Sequence, residues 1–248
     1  DVLAKMHQRA LYNAVKTPKL TFLLGVALCL LASCSQNTTT LKNVFSYNEA
    51  TGIATLDPAF AKNQSIMWAV HQIYNTLVEI DSNLNIVPSL AKSWEVSEDR
   101  KTYRFHLRTN VYFTNDDAFK EGVGRKLVAA DVAYSLGRII DKTVASSGAW
   151  IFNGRVDSVM PFVVINDSTF ELRLQRPFHP IMGILSTQYC SVVPKEVVEK
   201  YGKDFRRHPC GTGPFTLKSW DEGEALILHK NKNYWELDSA GVKLPYLD

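Results

Sequence analysis

Lys101-Thr-Tyr-Arg-Phe-His-Leu-Arg108 alternates without a break. Tyr103, Phe105 and Leu107 fall on one side, and Thr102, Arg104, His106 and Arg108 on the other. Successive side chains of an extended chain point to opposite faces, so this spacing predicts a strand with one buried face. The surrounding sequence supplies its neighbours. Upstream, Ser65-Ile-Met-Trp-Ala-Val-His-Gln-Ile-Tyr-Asn-Thr-Leu-Val78 sets Ile66, Ala69, Val70, Ile73 and Leu77 on one face at the helical period. Ser65 or Asn63 suits its N-cap, with Pro58 in the approach turn. Downstream, residues 130–140 return to helical spacing through Val132, Ala133, Leu136 and Ile140. Two hairpins follow: residues 163–165 and 169–174 around Asn166-Asp167-Ser168, and 215–220 and 225–229 around Asp221-Glu222-Gly223. Helices and strands mix without a regular βαβ repeat, which predicts a mixed α/β (α+β) fold.

The chain has 248 residues, 46% of them hydrophobic and 21% charged, which excludes wholesale disorder, collagen and coiled coil. Its net charge of +3 sits entirely at the N-terminus. Residues 1–34 carry Lys5, Arg9, Lys16 and Lys19 against Asp1, leaving 24 basic and 24 acidic side chains in the remainder. A neutral body gives no footing for a nucleic-acid partner. The basic stretch precedes Leu20-Thr-Phe-Leu-Leu-Gly-Val-Ala-Leu-Cys-Leu-Leu31, an uncharged run. As a helix it would span roughly 18 Å, short of the hydrocarbon thickness of about 30 Å. A short apolar run behind basic residues fits an export signal over residues 1–33.

That run ends in Leu31-Ala32-Ser33-Cys34, which resembles a bacterial lipobox. The resemblance implies cleavage before Cys34 and acylation of its thiol, giving anchoring to a lipid bilayer at an extracytoplasmic face. Residues 34–42 then form the lipidated cysteine and a polar tether. Met6 is the expected start, with residues 1–5 lying upstream of it. Cys190 and Cys210 remain, in a compartment that permits a disulfide, and either pair across a short loop or stay as two buried thiols.

Catalytic signatures are missing from the sequence. It contains no G-x-S-x-G, H-E-x-x-H or Walker A string, and no CxxC or Cys/His cluster for a metal. Gly122-Val-Gly124-Arg-Lys126 reads as a loop with basic tips, and Asp116-Asp117 as a solvated loop whose side chains diverge. The six histidines are scattered. No enzymatic activity, cofactor or metal is expected.

Nine strings in order resemble the extracellular solute-binding proteins of family 5, the peptide-binding lipoproteins of ABC importers. They are Thr55-Leu-Asp-Pro58 after a first strand, Ile86-Val-Pro-Ser-Leu-Ala-Lys-Ser-Trp-Glu-Val96, and Tyr103-Arg-Phe-His-Leu-Arg108 with Val111-Tyr-Phe113. Val128-Ala-Ala-Asp-Val-Ala-Tyr-Ser-Leu136, Asp167-Ser-Thr-Phe-Glu-Leu-Arg-Leu174, Val193-Pro-Lys195 and Gly211-Thr-Gly-Pro-Phe215 continue the order. Asn231-Lys-Asn-Tyr-Trp235 and Pro245-Tyr-Leu-Asp248 close it. The loop from Phe113 to Val128 departs from the family's Asp-Gly-x-Pro form.

The resemblance implies a two-lobed clamp of the type II periplasmic-binding-protein kind. Family members run to roughly twice this length, so the chain is expected to be an N-terminal fragment. Residues 43–80 and 189–248 would form lobe I, and residues 81–188 an inserted subdomain. The implied function is capture of oligopeptides and delivery, as a monomer, to an ABC permease with its ATPase. Nickel, haem and oligosaccharide binders share the scaffold, and a lipid-anchored adhesin or hydrolase is the alternative from another class. For ligand contact the resemblance points to Asn48, Glu49, Ala50, Thr51 and Gly52, with Glu49 either pairing with a ligand amine or lying solvated. Gly211, Thr212 and Gly213 form either a close backbone approach to ligand or a plain turn. Trp150, Phe152 and Tyr189 are the expected aromatic wall.

Overall fold

The alternating stretch forms strand β4 (Thr102–Leu107), with Tyr103, Phe105 and Leu107 buried as its spacing requires. The computed structural model that shows this describes residues 43–248. The export segment, Cys34 and the polar tether lie outside the described residues. Strand β4 sits inside a four-stranded antiparallel sheet of order β3-β4-β6-β5, with β3 (Ala91–Val96), β5 (Phe162–Asn166) and β6 (Thr169–Arg173). Register sets Phe105 opposite Phe170 and Tyr103 opposite Leu172. The Phe105 and Phe170 rings lie 6.2 Å apart, and Phe162 and Phe152 extend the aromatic layer.

The other face of this sheet is polar. Arg104 donates two hydrogen bonds to Glu171 Oε1, at 2.9 and 2.8 Å, and Arg173 donates two to Oε2, at 3.2 and 2.8 Å. Burial pushes the Glu171 carboxyl up, but Arg173 and Arg104 together hold it below the ordinary glutamate range.

Helix α1 (Gln64–Ile73) begins where Asn63 Oδ1 accepts the Ile66 N–H at 3.0 Å. It buries Ile66, Ala69, Val70 and Ile73. The periodicity suggests continuation to Val78, yet the chain turns extended at Tyr74 and leads into β1 (Val78–Ile80). Helix α2 (Ala129–Ile140) covers the sheet beside β5. Its inward residue is Ile139 rather than Ile140, which is 37% exposed. Arg138 on α2 meets Asp57 in a buried bidentate pair at 3.1 and 2.7 Å. Asp57 also accepts the Ala59 N–H and caps the 3₁₀ turn Pro58–Phe60.

Three further features complete the described chain. Strands β1 and β2 (Ile86–Pro88) pair as a hairpin, as do β7 (Phe215–Asp221) and β8 (Ala225–Lys230). Short helices α3 (Ile181–Leu185) and α4 (Lys195–Tyr201) follow β6 in the chain, α3 packing on β1 and α4 on α2. The loop 113–128 is locked by Arg125, which binds Asp131 and Glu196 together and lies over the Phe113 and Phe119 rings. Residues 43–248 share one apolar core running from Leu56 to Trp220. The expected first strand is a correction: residues 44–49 form no strand and pair with none among the described residues.

Candidate functional site

The outward side of α1 carries the most exposed aromatic of that helix. Trp68, His71 and Gln72 fall on one helical face, opposite the buried stripe, and the buried Asn75 follows just past the helix end. Trp68 is 47% exposed and stacks edge-on against Tyr47, their centroids 5.4 Å apart. Tyr47 belongs to the segment 44–49, whose Val44 and Phe45 are also exposed. None of the backbone groups of residues 44–48 has a backbone partner among the described residues.

Beyond Trp68 the same face opens into a groove of about 380 Å³, lined on its polar side by His71, Gln72, Asn75, Glu79, Tyr234 and Glu236. Asn75 is its hub. Its Oδ1 accepts from Thr212 Oγ1 at 3.0 Å and from Trp235 Nε1 at 3.3 Å. Its Nδ2 faces Tyr234 Oη at 3.4 Å and Glu79 Oε1 at 3.5 Å. Tyr234 donates to Glu236 Oε2 at 2.6 Å. Burial, reinforced by Glu236, pushes the Tyr234 phenol well above its ordinary value, so it stays a proton donor. These bonds tie α1 to the turn 211–213 and to the stretch after β8 in one network.

The residues expected at a ligand site divide. Asn48, Glu49, Ala50, Thr51 and Gly52 lie on the surface beside Tyr47, Glu49 partly covered and the rest exposed. Glu49 accepts the Thr51 N–H at 3.0 Å and faces Tyr47 Oη at 3.5 Å, so it is braced locally. Trp150 is 63% exposed.

Phe152 corrects the expectation of an aromatic wall: it is 1% exposed and packs edge-on against Phe162 in the core. Tyr189 is buried too, its ring pressed on Gly148, where a Cβ would come within 2.4 Å. Gly211, Thr212 and Gly213 are buried beneath α1, and the two glycines allow close approach to the Ile73 carbonyl rather than to an open surface.

Cys190 and Cys210 are free, buried thiols rather than a disulfide, each pushed by burial up to about 12. Cys210 Sγ lies against Thr114, 3.2 Å from its carbonyl. The sequence alone did not single out Tyr47, Trp68, Asn75, Glu79, Tyr234 and Glu236 as candidate site residues. A signal existed for Trp68, a large aromatic on the polar face of an amphipathic helix. Among the described residues, no group of three or more His, Cys, Asp or Glu side chains is arranged to hold a metal ion. No described helix is long and apolar enough to cross a membrane.

A family profile described as "Bacterial extracellular solute-binding proteins, family 5 Middle" matches residues 85–248. The chain belongs to this family. Its relatives include the probable ABC transporter periplasmic-binding protein SapA of Escherichia coli strain K12, 32% identical over 205 residues. That match covers 77% of this chain and 37% of SapA. The glutathione-binding protein GsiB of Escherichia coli O6:K15:H31 is 28% identical over 216 residues, covering 86% of this chain and 38% of GsiB. Among solved structures, DppA from Helicobacter pylori, an ABC transporter-associated periplasmic binding protein in complex with the peptide STSA, superposes with a TM-score of 0.65 at 30% identity. It matches 74% of this chain and 38% of its own. The fold is therefore that of type II periplasmic binding proteins of the DppA kind. This family 5 chain spans well under half the length of the relatives it matches.

Proposed function

We propose that this chain supplies one face of a peptide-capturing clamp in an ABC importer. In this reading residues 43–80 and 189–248 contribute to lobe I, and residues 81–188 are its inserted subdomain. The protein acts without catalysis, as a monomer tethered through acylated Cys34 at an extracytoplasmic face, and hands oligopeptides to the permease and its ATPase.

One observation carries the reading. The segment 44–48, whose backbone groups have no backbone partner among the described residues, lies beside the exposed Tyr47–Trp68 pair. Unpaired backbone N–H and C=O groups suit an extended peptide, whose own main chain hydrogen-bonds to them as an added strand whatever its side chains. Asn48, Glu49, Ala50, Thr51, Gly52 and Trp150 flank the ligand in this proposal.

Thermal unfolding with a mixed oligopeptide pool, and separately with nickel, haem and oligosaccharides, tests the assignment. A ligand that binds only the folded chain raises the melting temperature, with a stabilisation that grows as the logarithm of its excess over Kd. Stabilisation by peptides alone is the expected result. Stabilisation by another solute with no response to any peptide would reject the ligand class.

A further inference from the structure

We propose that Asn153 and Gly154 form a modification site, at which the folded chain converts its own asparagine into aspartate and isoaspartate. The inference is independent of the peptide-capturing reading.

The sequence holds one asparagine followed by glycine, in Phe152-Asn-Gly-Arg155. Glycine has no Cβ to shield its backbone nitrogen, so that nitrogen can approach the preceding side-chain amide closely. The fold leaves both groups open. Asn153 and Gly154 are exposed in a turn, and nothing lies within 4 Å of a Cβ placed on Gly154. Among the described residues the Asn153 amide has no hydrogen-bond partner and the Gly154 N–H no acceptor. Other exposed asparagines differ. Asn110 precedes the β-branched Val111, and Asn166 precedes Asp167 and accepts from Ser168 N and Oγ at 3.0 and 3.2 Å.

The chemistry needs only water. The Gly154 amide nitrogen gives its proton to hydroxide and attacks Asn153 Cγ. A cyclic imide closes, the bond from Cγ to the side-chain nitrogen breaks, and ammonia leaves with a proton taken from water. Water then opens the ring. Cleavage at Cγ gives aspartate; cleavage at the main-chain carbonyl gives isoaspartate, in which the chain runs through Cγ.

The two products differ in what they do to the fold. Both ends of the turn are fixed. The Phe152 carbonyl accepts the Arg155 N–H at 3.0 Å, the Arg155 carbonyl accepts the Gln175 N–H at 2.9 Å, and Phe152 is buried against Phe162. Isoaspartate adds a main-chain atom between these anchors, whereas aspartate only adds a charge at an exposed position. The isoaspartyl chain should therefore melt below the aspartyl one.

Incubation of the folded 248-residue chain in mildly alkaline and mildly acidic buffer tests this. Peptide mass mapping follows each asparagine, and electron-transfer fragmentation separates isoaspartate from aspartate. Asn153 is expected to convert roughly tenfold faster than Asn110 or Asn166, faster in alkali, with isoaspartate among its products. Gly154→Ala should slow the conversion, and Asn153→Asp should melt with the unmodified chain. Circular dichroism checks the folding of both. Because alanine is strained at the Gly154 φ of +65°, Gly154→Ser in the urea-unfolded chain supplies the same comparison if Gly154→Ala does not fold. Conversion of Asn153 no faster than the other two, or no conversion in the folded chain, would overturn the inference. Aspartate without isoaspartate would also overturn it, since direct attack by water gives aspartate alone.

Discussion

Gly213 donates its N–H to the Ile73 carbonyl at 2.9 Å, so close that a Cβ on Gly213 would lie 2.5 Å from the Ile73 carbonyl carbon. This approach seats the turn 211–213 under the end of α1 and brings Thr212 to Asn75, the hub of the groove. Gly213→Ala forces backbone from backbone and should cost about 1–3 kcal/mol. Gly137→Ala, in the interior of α2 with nothing within 4 Å of the added methyl, should instead stabilise by up to about 1 kcal/mol. Urea midpoints of the two variants check the pair. Similar effects in the same direction would contradict the packing described.

The pair Arg138–Asp57 joins α2 to the turn before α1, with side-chain exposures of 10% and 7%. Removing one partner leaves a buried charge uncompensated, so Arg138→Ala or Asp57→Ala alone should cost about 3–5 kcal/mol. The double variant should cost less than the sum of the two. Simple additivity in a double-mutant cycle would show that the two groups do not depend on each other.

Acid should weaken the fold through two glutamates. Arg125 holds the Glu196 carboxyl below its ordinary range, and the paired arginines hold Glu171 there against the opposing effect of burial. A lowered folded pKa means that the unfolded chain binds protons more readily. The contribution is therefore complete above the unfolded value, about 4.3, and is lost as pH falls through the folded value below it. Denaturation midpoints should fall steeply below about pH 4.3, and Glu171→Gln should flatten that fall. An unchanged slope in the variant would count against the assignment.

Cys190 and Cys210 should resist alkylation in the folded chain, since both are buried and their thiols are held protonated near neutral pH. After unfolding without reductant, mass spectrometry should find each carrying one adduct. A linked pair of peptides containing the two residues would contradict the structure.

Local patterns carried most of the fold. The alternation in 101–108 and the hairpin turns at 166–168 and 221–223 are written in neighbouring residues, and the five strands they predict form within two residues of their expected bounds. Helix α1 stops early because Leu77 and Val78, apolar at the helical period, serve equally well at the entry to β1. Strand β3 is hard to read because its register slips between Ala91 and Ser93, which breaks the alternation.

The groove was far less legible. Asn75 reaches Thr212 and Trp235 across 137 and 160 residues, and no local pattern encodes such contacts. Phe152 shows the converse difficulty. Aromatic type alone does not say whether a ring faces the core or a ligand, and here packing against Phe162 decides it.

The central claim is that an extended peptide lies along the segment 44–52 and the outward face of α1. Backbone NMR of the isotopically labelled chain during titration with a mixed tripeptide pool tests it most directly. Shift changes concentrated at Tyr47, Asn48, Glu49, Thr51 and Gly52, with Trp68 and His71 moving alongside, are the predicted result. Saturable changes confined to another surface, with these residues unmoved, would contradict it.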